Sequence, residues 1–165
     1  MESDAIQYYL CLKSGRSDLL GRNFEEELAL VNAHSVMKDF YPNYINLMYG
    51  KYTETFIYEQ EKEDIQEQFH GYLTKLNRMI KGKHFMAGGL TWIDFGIADF
   101  LQTLQLYQPD YFQPYPELVS YQKRVWSLPE LADYFASDRF HERPCNNFTA
   151  VWQWQWWWDM PLHPA

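Results

Sequence analysis

The sequence predicts an all-α fold, a bundle of helices around one hydrophobic core. Apolar residues recur at spacings of three and four along several segments. One central segment is apolar on nearly every side. Most prolines and glycines fall between these segments, and no strand of clear period is seen. With 165 residues the chain is long enough for one domain with a real core. An aromatic content of 19% predicts a core rich in rings.

The elements follow in chain order. Ala5 to Leu12 is a short apolar segment with Ile6, Tyr9 and Leu10 on one side, and Ser14 to Asn23 reads as a linker. A long helix should begin near Phe24, where Glu25, Glu26 and Glu27 suit the positive end of the helix dipole. In it Leu28, Val31 and Ser35 share one face, and Leu30, Ala33 and Met37 another. Pro42, inside this helix, predicts a bend before its end at Gly50. Lys51 to Phe56 is a connection, and a second helix is expected over about Glu59 to Ile80, with Ile65, Phe69, Tyr72, Leu76 and Met79 inward. The third helix starts at Thr91 and closes at Gln108-Pro109-Asp110; its apolar residues surround it, which places it in the middle of the bundle. A fourth covers about Pro116 to Trp126 with Leu118, Tyr121 and Val125 inward. A last short helix runs from Pro129 to about Ser137, proline being tolerated in a first turn. Beyond it, Trp152 to Trp158 reads as a poorly ordered or partly packed extension, with an aromatic contact patch as the other reading.

Charge and composition exclude several functions. Lysine and arginine total 14 against 22 acids, a net charge of −8, and such a surface repels phosphate backbones and anionic headgroups. Nucleic acid and membrane are therefore not expected partners. No apolar run reaches bilayer length, and the acidic start Met1-Glu2-Ser3-Asp4 is unlike a signal peptide, so a cytoplasmic location is expected. The two cysteines, Cys11 and Cys145, read as reduced thiols, and the sequon at Asn147 then carries no meaning. His34, His70, His84, His141 and His163 show no ligand spacing, so no metal site is expected.

The sharpest local signal is Leu90-Thr91-Trp92-Ile93-Asp94-Phe95. Thr91 is placed as an N-cap, and Asp94, three residues on, can reach back to the N–H of Thr91. That capping box is a structural role for Asp94 rather than an acid-catalytic one, because a buried helix start must satisfy its donors. Asp94→Ala is expected to cost about 1–2 kcal/mol of stability. Asp99, within the apolar third helix, is expected to be buried and hydrogen-bonded.

The string from Phe85 to Phe95 resembles the folding signature of the helical domain of cytosolic glutathione transferases. Tyr107-Gln108-Pro109-Asp110, Pro116-Glu117-Leu118, Ser127 to Leu131 and Ser137 to Phe140 fit the same family in order and spacing. The sigma, pi and mu classes are the most similar, and the likeness covers about Glu2 to Trp152. It implies a helical bundle of the glutathione transferase C-terminal type over residues 24–151. Residues 1–13 then resemble the last helix of a thioredoxin-like domain, 14–23 a linker, and 152–165 a tail.

The resemblance also implies a chemistry, attack of glutathione thiolate on a hydrophobic electrophile in a homodimer. Glutathione is a substrate there, and no further cofactor is implied. Glu2 and Ser3 match positions that hold the γ-glutamyl end of glutathione, in accord with anion binding at a helix N-terminus. Asp39 matches an aspartate that reaches the γ-glutamyl ammonium of the other subunit. Tyr49 matches a pi-class tyrosine of the electrophile pocket, where a phenol can donate to developing negative charge. Leu104 stands at another pocket position, where the mu class carries a tyrosine, a departure that puts mu-type substrates in doubt. The family's thiolate-stabilising residue matches nothing in this chain, which is expected to resemble a fragment with little activity. A non-catalytic association module, as the domain serves in translation factors and lens proteins, stays open as the alternative.

Overall fold

The computed structural model of the protein describes residues 3–49 and 55–141. The described residues form six α-helices: α1 (Ser3–Lys13), α2 (Phe24–Tyr49), α3 (Thr55–Ile80), α4 (Trp92–Tyr107), α5 (Pro116–Trp126) and α6 (Ala132–Phe135). Three single 3₁₀ turns, Ser17–Leu20, Pro109–Phe112 and Pro129–Leu131, lie between them, and no strand occurs among the described residues. Glu2 and the tryptophan-rich stretch fall outside the described residues.

The central helix is α4. Ile93, Ile97, Ala98, Leu101 and Leu104 are all fully buried there, so the all-round apolar pattern does mark the middle of the bundle. It packs on α5 and α2, while α3 lies against α2 and α5. The inward row of α5 is as expected, with Leu118 and Tyr121 wholly buried and Val125 nearly so. Rings dominate the seam between α2 and α3. Phe40 stacks on Tyr72 with centroids 4.4 Å apart, and Phe69 and Phe100 close on the same ring at 4.8 and 5.6 Å. Such offset and edge-on pairs add to plain area burial. A smaller aromatic cluster joins Trp126 to Phe135 at 4.9 Å and to Phe140 at 5.6 Å, tying the end of the described chain to α5.

Several boundaries differ from the sequence reading. Ser14 to Asn23 is not plain linker, since Ser17–Leu20 forms a 3₁₀ turn stabilised by Arg16, whose guanidinium grips Asp18 at 2.9 Å. Helix α3 begins at Thr55 rather than near Glu59. The last helix splits into a 3₁₀ turn from Pro129 and the short α6, which stops at Phe135 rather than Ser137. Asp99 is exposed, not buried: Ile97, Ala98 and Leu101 take the core face, and the helical period turns residue 99 away from it. Helix α2 runs as one element through Pro42.

Two helices present apolar side chains outward. On α1, Tyr8, Tyr9, Leu10 and Leu12 are each more than half exposed, and Cys11 is its one buried residue. On α2, Phe24, Leu28 and Val31 form an exposed row at helical spacing. The two faces expected for α2 therefore differ: Leu30 and Ala33 are buried, whereas Leu28 and Val31 are not.

Candidate functional site

The start of α4 is densely hydrogen-bonded. Both Thr91 and Asp94 have no exposed surface. The Asp94 carboxylate accepts from the N–H of Thr91 at 2.8 Å, the hydroxyl of Thr91 at 3.0 Å, the N–H of Met86 at 2.9 Å and the hydroxyl of Tyr121 at 2.8 Å. The capping box expected from the sequence is present. Its reach is wider than a cap, because one carboxylate joins the loop before α4, the first turn of α4 and the middle of α5. Burial pushes the Asp94 carboxyl above its ordinary value, and its four donors pull the other way. This is the chemistry of a structural anchor: every lone pair is engaged with protein, leaving none for a substrate proton.

The positions expected from the sequence to hold glutathione lie elsewhere. Ser3 opens α1 and is exposed. Its neighbour Asp4 is held by α2, with Lys38 Nζ at 2.8 Å and His34 Nε2 at 3.2 Å. The hydrogen bond from Lys38 draws the Asp4 carboxyl below its ordinary range, helped by the charges of His34 and Lys38. Asp39, next along α2, is exposed and lines a groove of about 270 Å³ between α2 and α3 with Phe40, Asn43, Tyr72 and Lys75. The Tyr72 hydroxyl is buried beside this groove with no hydrogen-bond partner among the described residues, and burial raises its pKa. Tyr49 ends α2, half-buried against the core. Leu104 is wholly buried within that core.

The structure thus brings Thr91 and Asp94 into one constellation and spreads Ser3, Asp39 and Tyr49 along α1 and α2. Sequence reasoning missed two partnerships, Tyr121 with Asp94 and Lys38 and His34 with Asp4. Tyr121 was readable as inward, but nothing in a linear sequence pairs its hydroxyl with a carboxylate 27 positions away.

A family model described as "Glutathione S-transferase, C-terminal domain" matches residues 38–138. The chain belongs to the glutathione S-transferase C-terminal domain family. Curated relatives agree. Glutathione S-transferase Mu 3 of Macaca fuscata fuscata is 27% identical over 152 residues, covering 92% of this chain and 64% of that protein. Glutathione S-transferase P 1 of Bufo bufo is 28% identical over 142 residues, covering 83% and 65%. The chain therefore spans somewhat less than two thirds of the length of these transferases. Among solved structures, rat hPGDS complexed with a quinoline superposes with a TM-score of 0.67 at 25% identity, covering 82% of this chain and 66% of that one. The glutathione S-transferase Blo t 8 superposes with a TM-score of 0.74 at 24% identity, covering 91% and 69%, and supports the fold. The transferase family match includes Asp39, Tyr49, Thr91, Asp94 and Leu104 but begins after Ser3.

Proposed function

We propose that this chain is the electrophile-side helical part of a glutathione transferase, in which glutathione thiolate adds to a hydrophobic electrophile. The observation that carries the reading is the family match over 38–138, joined to relatives named as transferases of the mu and pi classes. In this reading Glu2 and Ser3 hold the γ-glutamyl end of glutathione. Asp39, exposed on α2, serves the ammonium of glutathione bound to a second copy in a homodimer. Tyr49 faces the electrophile, and Leu104, being buried, contributes to that side only as packing. The detoxifying, cytoplasmic role typical of transferases comes with the same reading.

The test is retention of the purified chain on immobilised glutathione and its elution by free glutathione, which supports the reading. This chain alone is expected to conjugate glutathione to a chromogenic aryl halide slowly or not at all. Only the thiolate attacks, a free thiol has a pKa near about 8.5, and no residue here is assigned to lower it. Turnover at ordinary transferase rates would overturn that expectation. A second reading, a non-catalytic association module, is favoured by the exposed apolar rows on α1 and α2. No retention on glutathione, together with a defined hetero-partner, would replace the first reading with the second.

A further inference from the structure

Helix α1 is weakly seated. Its residues Ile6, Tyr8, Tyr9, Leu10 and Leu12 are exposed, and the face turned inward is the row Asp4, Gln7 and Cys11, spaced by three and four. Cys11 packs the C-terminal half of the helix. At the N-terminal half the Asp4 carboxylate takes Lys38 on one oxygen at 2.8 Å and His34 on the other at 3.2 Å. His34 is not a loose partner. Its ring stands edge-on to Trp92, the first residue of α4, with centroids 5.0 Å apart. Lys38 and His34 are one helical turn apart on α2, so an ammonium and an imidazole converge on a single carboxylate. The chain of contacts therefore runs from the locked start of α4, through Trp92 and His34, to the first turn of α1.

We propose that Lys38 and His34 are positioning residues that fix the N-terminal turn of α1, and with it the Ser3 hydroxyl, for glutathione. The glutathione clause rests on the reading of Ser3 given above; the clamp itself does not. An exposed ion pair is individually weak, but α1 has little other burial to hold it, so a small coupling decides whether its first turn is ordered.

The experiment is hydrogen–deuterium exchange of the full chain, following residues 3–13 beside residues 67–80 of α3, with isothermal glutathione titration in parallel. In the double variant Lys38→Ala, His34→Ala, amides of 3–13 should exchange about three- to five-fold faster, the scale of one surface coupling, while 67–80 stay unchanged. Lys38→Arg alone should keep wild-type exchange, because charge and reach are retained. Glutathione affinity should fall by about the same three- to five-fold factor in the double variant. Equal exchange at 3–13 in wild type and double variant overturns the clamp. Faster exchange with unchanged affinity overturns its link to Ser3. A wild type that binds no glutathione counts against the Ser3 reading itself, and the exchange data still decide the clamp.

Discussion

Two aspartates near two helix starts behave in opposite ways. Asp94, in the first turn of α4, is wholly buried and satisfied by four donors, and burial raises its pKa. Asp4, in the first turn of α1, has a side chain 40% exposed, and the hydrogen bond from Lys38 lowers its pKa. Both sit where the helix dipole favours negative charge. The difference lies in what surrounds them: Asp94 binds neutral donors in a dry interior, whereas Asp4 binds a lysine ammonium and an imidazole at the surface. A buried bundle start and an exposed, ion-paired helix start can thus be built from the same residue type.

The largest effect should come from removing the buried member. Asp94→Ala leaves the N–H groups of Met86 and Thr91 and the hydroxyl of Thr91 buried without their carboxylate acceptor, and leaves the Tyr121 hydroxyl only the backbone oxygen of residue 94, at 3.4 Å. Each orphaned group costs about 1–3 kcal/mol, so the loss should reach about 3–5 kcal/mol, well above the figure for a cap alone. Urea unfolding followed by circular dichroism measures it, and a loss near 1 kcal/mol would mean that the loop rearranges to satisfy its own donors. Tyr121→Phe tests the link to α5 alone, and a cost of about 1–2 kcal/mol is expected in the same assay.

A third carboxylate sharpens the pH side of the contrast. Glu26 is buried at 8% exposure and accepts from the backbone N–H and the guanidinium of Arg22. Those bonds pull its pKa from 4.5 down to about 2. A folded value below the unfolded one stabilises above the unfolded value and is lost as pH falls toward about 2. Glu26→Gln should therefore narrow its gap from wild type progressively as pH drops from 4.5 to about 2, read as melting temperature against pH. Asp4→Asn follows the same sign with a smaller amplitude, under about 1 kcal/mol for an exposed pair. Asp94 carries the opposite sign. Its raised value means that its proton-linked contribution is full below the ordinary carboxylate range and declines as pH rises through the folded value. A common sign for Glu26 and Asp94 in such profiles would break the contrast.

The last test concerns a turn. Gly21 adopts φ +101°, and a Cβ there would fall 2.7 Å from the backbone nitrogen of Glu27, at the start of α2. Gly21→Ala should destabilise by about 1 kcal/mol, through the left-handed backbone and that contact, with a lowered melting temperature as the readout.

Much of the architecture was legible in the linear chain. The start of α2 at Phe24, the limits of α5 and the capping box at Thr91 and Asp94 are local signals, carried by acids in a first turn, a proline at N1 and a three-residue spacing. Buried α4 followed from its composition alone. Boundaries set by packing were less legible: the 3₁₀ turn at Ser17–Leu20 has Arg16 folded back onto Asp18, and the last helix splits after Leu131, beside the Trp126 ring cluster.

Helix periodicity, caps and the family-like order of motifs were written in the sequence, since each arises from neighbours within a turn or two. Which side of α2 is buried, which hydroxyl reaches Asp94 and which nitrogens reach Asp4 were decided only by tertiary structure. Those contacts join residues 27 to 34 positions apart, and no local preference can select a partner at that distance until the helices are packed together.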